Sequence, residues 1–118
     1  MNIQQFPFDK LPVEKLSDKI SRRYVHGEKA MLARFELKKG AIIPKHQHPN
    51  EQITYILSGA VKIHMEGRDY FVRSGEVIII PSNVLHQFEA LEDTIDIDVF
   101  SPPREDWLSG RDNYLKGL

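Results

Sequence analysis

Alternation of apolar and polar positions dominates the middle of the chain. Met31, Ala33, Phe35 and Leu37 are apolar, and charged Arg34 and Glu36 lie between them. This is the period-2 pattern of a strand with one buried face. The surrounding run KISRRYVHGEKAMLARFELKKG (19–40) reads as two strands around a turn at 26–29, with Gly40 ending the second. Further short strands are expected at 51–57, 60–65, 69–73, 77–80, 85–90 and 94–100. The breaks between them are Ser58-Gly59, Glu66-Gly67, Ser74-Gly75, Pro81-Ser82-Asn83 and Glu92-Asp93. Many short strands, with turn signals about every 8–12 residues, predict an all-β sandwich or barrel. Residues 1–19, broken by Pro7 and Pro12, are expected to be irregular. The tail, 102–118, carries REDWLSG after Pro102-Pro103, which predicts one short helix ending near Gly110.

Composition narrows the chemistry. The 118 residues fit a single domain over 1–118. With no cysteine, the chain has neither a disulfide framework nor a thiolate ligand, so any metal site must use histidine, carboxylate or amide. A net charge of −1 with mixed signs argues against nucleic acid as a partner. No apolar run approaches the ~20 residues of a membrane span. The start, MNIQQFPFDKLPVEKL, lacks the basic and apolar regions of a secretory signal, so the cytoplasm is the expected location.

The stretch HQHPNEQITYILSG (46–59) concentrates the candidate chemistry. Histidines at i and i+2 of a strand point to one face, which offers two imidazoles to one metal. A third ligand is expected from the next strand, where Glu51 and Gln52 compete. Gln52, Thr54 and Ile56 share one face there, and Glu51, Ile53, Tyr55 and Leu57 share the other. Parity alone does not say which face is inside. His86, in PSNVLHQFEA, shares its face with Phe88 and Ala90. His26, near a turn, and His64, beside Lys62 and Glu66, read as surface residues.

These spacings resemble the cupins. Their first motif, G-x5-H-x-H-x3-E-x6-G, reads here as Gly40, His46, His48, Gln52 and Gly59. The second, G-x5-P-x-G-x2-H-x3-N, reads as Gly75, Pro81, Asn83, His86 and Ala90, with Asn83 replacing a glycine and Ala90 an asparagine. The resemblance covers about residues 30–100. It implies a double-stranded β-helix, the jelly-roll barrel, followed by a short C-terminal helix. It also implies one divalent metal ion (Zn, Ni, Mn or Fe) on His46, His48, Gln52 and His86, which turns Glu51 outward. Gln52 in the glutamate position leaves the ion's double charge uncompensated, which suits polarising an anionic oxygen. It suits iron–oxygen chemistry less, since the 2-His-1-carboxylate set is missing. Small cupins commonly form homodimers. Ile53, Tyr55 and Leu57, or Ile95, Ile97 and Val99, are the expected contact, unless they fill the core instead.

The run DTIDIDVFSPPREDWL (93–108) has two readings. One buries Ile95, Ile97 and Val99 and leaves the aspartates in water. The other turns Asp98 and Phe100 into the barrel mouth, with Arg104 reaching over it. Gln52 followed by DVFSPPRED resembles the KdgF-type pectin-degradation cupins. That likeness implies a sugar-acid substrate, a cyclic 4,5-unsaturated uronate from pectin or alginate breakdown, opened to a linear keto sugar. It assigns Asp98 and Arg104 to catalysis, and Phe100 and Arg104 to substrate binding. The alternatives are a dioxygenase using Fe(II) and O2, and a sugar-binding sensor without catalysis.

Overall fold

A computed structural model describes residues 2–116. Ten strands follow in order: β1 (Glu14–Lys15), β2 (Ile20–His26), β3 (Met31–Leu37), β4 (Ile42–His46), β5 (Glu51–Ser58), β6 (Ala60–Met65), β7 (Arg68–Arg73), β8 (Val77–Ile80), β9 (His86–Ala90) and β10 (Thr94–Ser101). One sheet has the order β1-β2-β3-β10-β5-β8 and the other β4-β9-β6-β7, every pairing antiparallel. Phe35, Ile56 and Phe100 from the first sheet and Ile43, Val61, Ile63 and Phe88 from the second belong to one buried core. This is the two-sheet jelly roll that the strand spacing predicts.

Two expectations need correcting. The segment 1–19 is not wholly irregular: it contains a 3₁₀ turn, Phe8–Lys10, and β1, whose Glu14 pairs with Arg22. A two-residue strand is too short to carry any periodicity. The isoleucine-inward reading of 94–100 also fails. Asp96, Asp98 and Phe100 are buried, Ile95 and Ile97 only half-buried, and Val99 exposed. The neighbours decide this. β10 lies between β3 and β5, with Asp98 opposite Ala33 and Thr54, and Phe100 opposite Met31 and Gln52. Directly opposed residues share a face, and Ala33, Met31, Thr54 and Gln52 all point inward. By the same pairing, Ile53, Tyr55 and Leu57 are exposed, so neither expected contact row fills the core.

Two turns set the ends of the site strands. Gly59 has φ +93°, and a Cβ there would fall 2.4 Å from the Asp93 carbonyl oxygen, so only glycine fits. Asn83, in the position of the motif's glycine, also takes a left-handed backbone, φ 63°. Asparagine tolerates that region better than other side chains.

The expected helix is a single turn, α1 (Glu105–Leu108), followed by a 3₁₀ turn, Asn113–Lys116. The indole of Trp107, on α1, packs edge-on against Phe35 and Phe100. This fastens the tail across one end of the barrel.

Candidate metal centre

His46 ends β4 and His86 begins β9, and the two residues are paired across the sheet. His48 lies just beyond β4, in the loop to β5. The two nearby histidines therefore converge without both belonging to one strand. The chain bends there because the β4–β9 register shifts between Ile43 and His46. Asn50 then fixes the loop: its buried amide donates to the carbonyls of Pro102 and Pro103, while the Asn83 N–H donates to the His48 carbonyl at 2.8 Å. Candidate ligand atoms of His46, His48 and His86 all lie within 4.8 Å of one another.

The hydrogen bonds orient each ring. Nδ1 of His46 faces the Pro44 carbonyl at 2.7 Å, that of His48 the Asn50 carbonyl at 3.1 Å, and that of His86 the Val84 carbonyl at 2.7 Å. A carbonyl only accepts, so each Nδ1 carries the proton and each Nε2 keeps a lone pair. His86 Nε2 is buried with no hydrogen-bond partner among the described residues. Burial, reinforced by neighbouring charges, pushes the His46 pKa down to about 3 and the His48 pKa to about 4, and lowers that of His86. All three are neutral imidazoles at neutral pH, as metal ligation requires.

Gln52 is buried and points inward, whereas Glu51 is exposed. The Gln52 amide nitrogen donates to Thr54 Oγ1 at 2.9 Å, which leaves Oε1 facing His48 Nε2 at 3.0 Å. The Thr54 hydroxyl in turn donates to Asp98 Oδ1 at 2.7 Å. An acceptor oxygen thus meets an acceptor nitrogen, an arrangement that a cation between them satisfies. The residues present fit a divalent ion, which His46, His48, His86 and the Gln52 oxygen would hold.

Asp98 and Asp96 occupy successive inward positions of β10, both fully buried. Burial raises both carboxyl pKa values, that of Asp96 well above the ordinary range, and the Asp98 charge adds to the effect on Asp96. Neither Asp96 oxygen has a hydrogen-bond partner among the described residues. Phe100 packs edge-on against His48 at 5.6 Å. Arg104 is buried rather than lying over an open mouth, with its guanidinium 4.9 Å from the ring centres of both Phe100 and Trp107. Asp106 grips it through two bonds, 2.9 and 2.8 Å, and Tyr114 Oη takes a third. Asp98, Phe100, Arg104, His46, Gln52 and His86 line one cavity. His26 and His64 are exposed and far from it in role: His26 meets its neighbour's carbonyl and His64 meets Asp69.

Sequence reasoning missed Thr54, Asp96 and Tyr114. Thr54 was signalled by sharing a face with Gln52, and Asp96 by sharing one with Asp98. Nothing in the tail's pattern marks Tyr114.

The family comparison agrees with this geometry. The cupin domain model matches residues 33–101, and the chain belongs to that family. Within it, the chain resembles the pectin degradation protein KdgF of Dickeya dadantii, at 32% identity over 85% of this chain and 94% of that one. The solved structure of KdgF from Halomonas sp. superposes with a TM-score of 0.82 at 28% identity, covering 90% of this chain and 99% of that one. The fold also recurs, at 23% identity and TM-score 0.74, in the Bacillus subtilis oxalate decarboxylase studied for its Mn(II) centres, covering 86% of this chain and 30% of that one.

Proposed function

We propose that the protein is a metal-dependent enzyme that opens cyclic 4,5-unsaturated uronates to linear keto sugars. The observation that carries this reading is the buried Asp98 carboxyl, joined through Thr54 and Gln52 to the histidine cluster and sharing its cavity with Arg104. The likeness to a pectin degradation protein supports a substrate drawn from pectin breakdown.

The substrate is an enol ether bearing a carboxylate and a hemiacetal. Opening it breaks the C1–O5 bond, removes the proton from the C1 hydroxyl and adds one at C4. An aldehyde and a ketone result, with no change in composition. Asp98 takes the first proton and returns one to C4, a cycle favoured by a carboxyl whose pKa burial raises. Thr54 holds the carboxyl by its Oδ1. Arg104 presents a planar fork suited to the substrate carboxylate, and Phe100 walls the cavity against water. A bound divalent ion supplies a Lewis acid for an anionic oxygen.

Incubation with lyase-derived unsaturated uronate under nitrogen tests the reading. Loss of the enol-ether absorbance without oxygen is expected. Turnover only with oxygen would replace the reading by a dioxygenase, and binding without turnover by a sensor.

We also propose a homodimer through the outer face of the larger sheet. Leu32, Ile53, Tyr55, Leu57, Val77, Ile79 and Val99 are exposed there on four neighbouring strands. Together they reach the few-hundred-Å² size at which exposed apolar surface marks an association site. Such a patch supplies the core of a dimer contact, with charged Arg34 and Glu36 beside it on β3. Light scattering at micromolar concentration should give twice the chain mass; a monomer mass refutes the pairing.

A further inference from the structure

The cavity at the histidine cluster holds about 20 Å³. That is room for roughly one water molecule, whereas small-molecule pockets run to roughly 300–1,000 Å³. A six-carbon sugar acid does not fit, so part of the wall must move before anything of that size enters.

The wall is unequal. Phe35, Ile43, Gln52, His86, Phe88, Asp98 and Phe100 stand on strands paired into the two sheets. Tyr114 and Leu115 stand on the Asn113–Lys116 turn. That turn hangs from Asp112, which is buried and paired with Arg22 at 2.5 Å. Beyond this anchor the turn lies over β4. The Tyr114 ring sits 4.7 Å from the His46 ring, and its hydroxyl is tied to Arg104 and Asp106.

We propose that Tyr114 is a further residue of this site: a latch that holds the Asn113–Lys116 turn shut over the histidines, and that a substrate carboxylate releases by taking its place on Arg104. The proposal rests on the reading that a carboxylate substrate binds at this centre.

The partners of Arg104 decide which contact yields. Asp106 binds the guanidinium twice, as a charged group. Tyr114 accepts from it once, as a phenol, and donates to Asp106 Oδ2 at 3.2 Å. The bond to Tyr114 carries charge on the donor side only, whereas a carboxylate brings its own charge and takes two parallel bonds from a guanidinium. An incoming carboxylate therefore displaces the phenol, while Asp106 continues to hold Arg104 in place. Loss of the latch leaves the turn held only by Leu115 in the core and by Lys116 on Asp112, and the Tyr114 ring is then free to leave His46.

Tyr114→Phe keeps the ring and removes the hydroxyl, so it separates latching from packing. A closed lid taxes affinity by the fraction of time it stays open. Weakening the latch should then tighten binding, a sign that loss of a merely structural contact would not give. Calorimetric titration of the purified protein with glucuronate should show a Kd lower by about tenfold in Tyr114→Phe. An equal or higher Kd would overturn the latch. Should neither protein bind glucuronate, the uronate reading is left to the unsaturated substrate, and extraction of the bound metal by excess EDTA decides the latch alone. Faster extraction from Tyr114→Phe upholds it, and equal rates overturn it.

Discussion

His48 Nε2 and Gln52 Oε1 face each other at 3.0 Å, each with a lone pair and neither with a proton to give. The imidazole proton is committed to the Asn50 carbonyl and the amide protons point toward Thr54. Two acceptors in a buried site repel unless something positive lies between them. This contact, with the unpartnered Nε2 of His86, is what a cluster able to hold a metal ion would leave in place.

The purified protein should accordingly carry close to one divalent ion per chain. His46→Ala/His48→Ala removes two of four ligands and should abolish binding. Elemental analysis of both proteins checks this, and wild-type protein that holds no metal and takes none up on soaking rules the centre out.

Gln52→Glu replaces a neutral oxygen by a charged one at the same position. Metal affinity should hold or rise, because the carboxylate adds charge attraction. Turnover should fall, because the ion's Lewis acidity is partly neutralised. Competition with a chelator reads the first effect and steady-state kinetics the second. Unchanged or faster turnover contradicts the role assigned to the amide.

Asp96 should weaken the fold at neutral pH. Its folded pKa is raised by burial and by the Asp98 charge. The folded state thus binds the Asp96 proton more tightly than the unfolded chain does. Stability from this group is full below the unfolded pKa of about 4 and declines as pH rises toward the folded value. Asp96→Asn removes that decline. Its Tm advantage over wild type should be small near pH 4 and widen toward pH 8. The buried histidines, with lowered pKa values, act in the opposite direction, losing stability as pH falls below about 6.5. They are common to both proteins and cancel in the difference. A constant Tm difference across this range contradicts the assignment.

The strands were legible because each carries its own alternation and its own turn residues, and the two motifs fixed which histidines converge. The orientation of 94–100 was not. Ile95, Ile97 and Val99 look like a core face when read alone, and only pairing with Ala33 and Thr54 turns the aspartates inward. A strand that buries two carboxyls incurs the cost of burying charge, which makes Asp96 and Asp98 candidates for a functional site. The closure of the site by the tail was equally hidden. A single 3₁₀ turn has no period to detect, and Tyr114 reaches His46 across most of the chain's length. Asp106, too, reads as an ordinary residue of a helix's first turn until its two bonds to Arg104 are seen.

The proposed ring opening requires a buried carboxyl beside the histidine cluster to move the proton. Asp98→Asn tests it, because the amide keeps the shape and the Thr54 bond but does not titrate. Metal content and kcat on unsaturated uronate should be measured together on this variant. One ion per chain with kcat lowered about 10²–10⁴-fold, the usual weight of general acid–base catalysis, is the expected result. Full metal content with wild-type kcat would contradict the account.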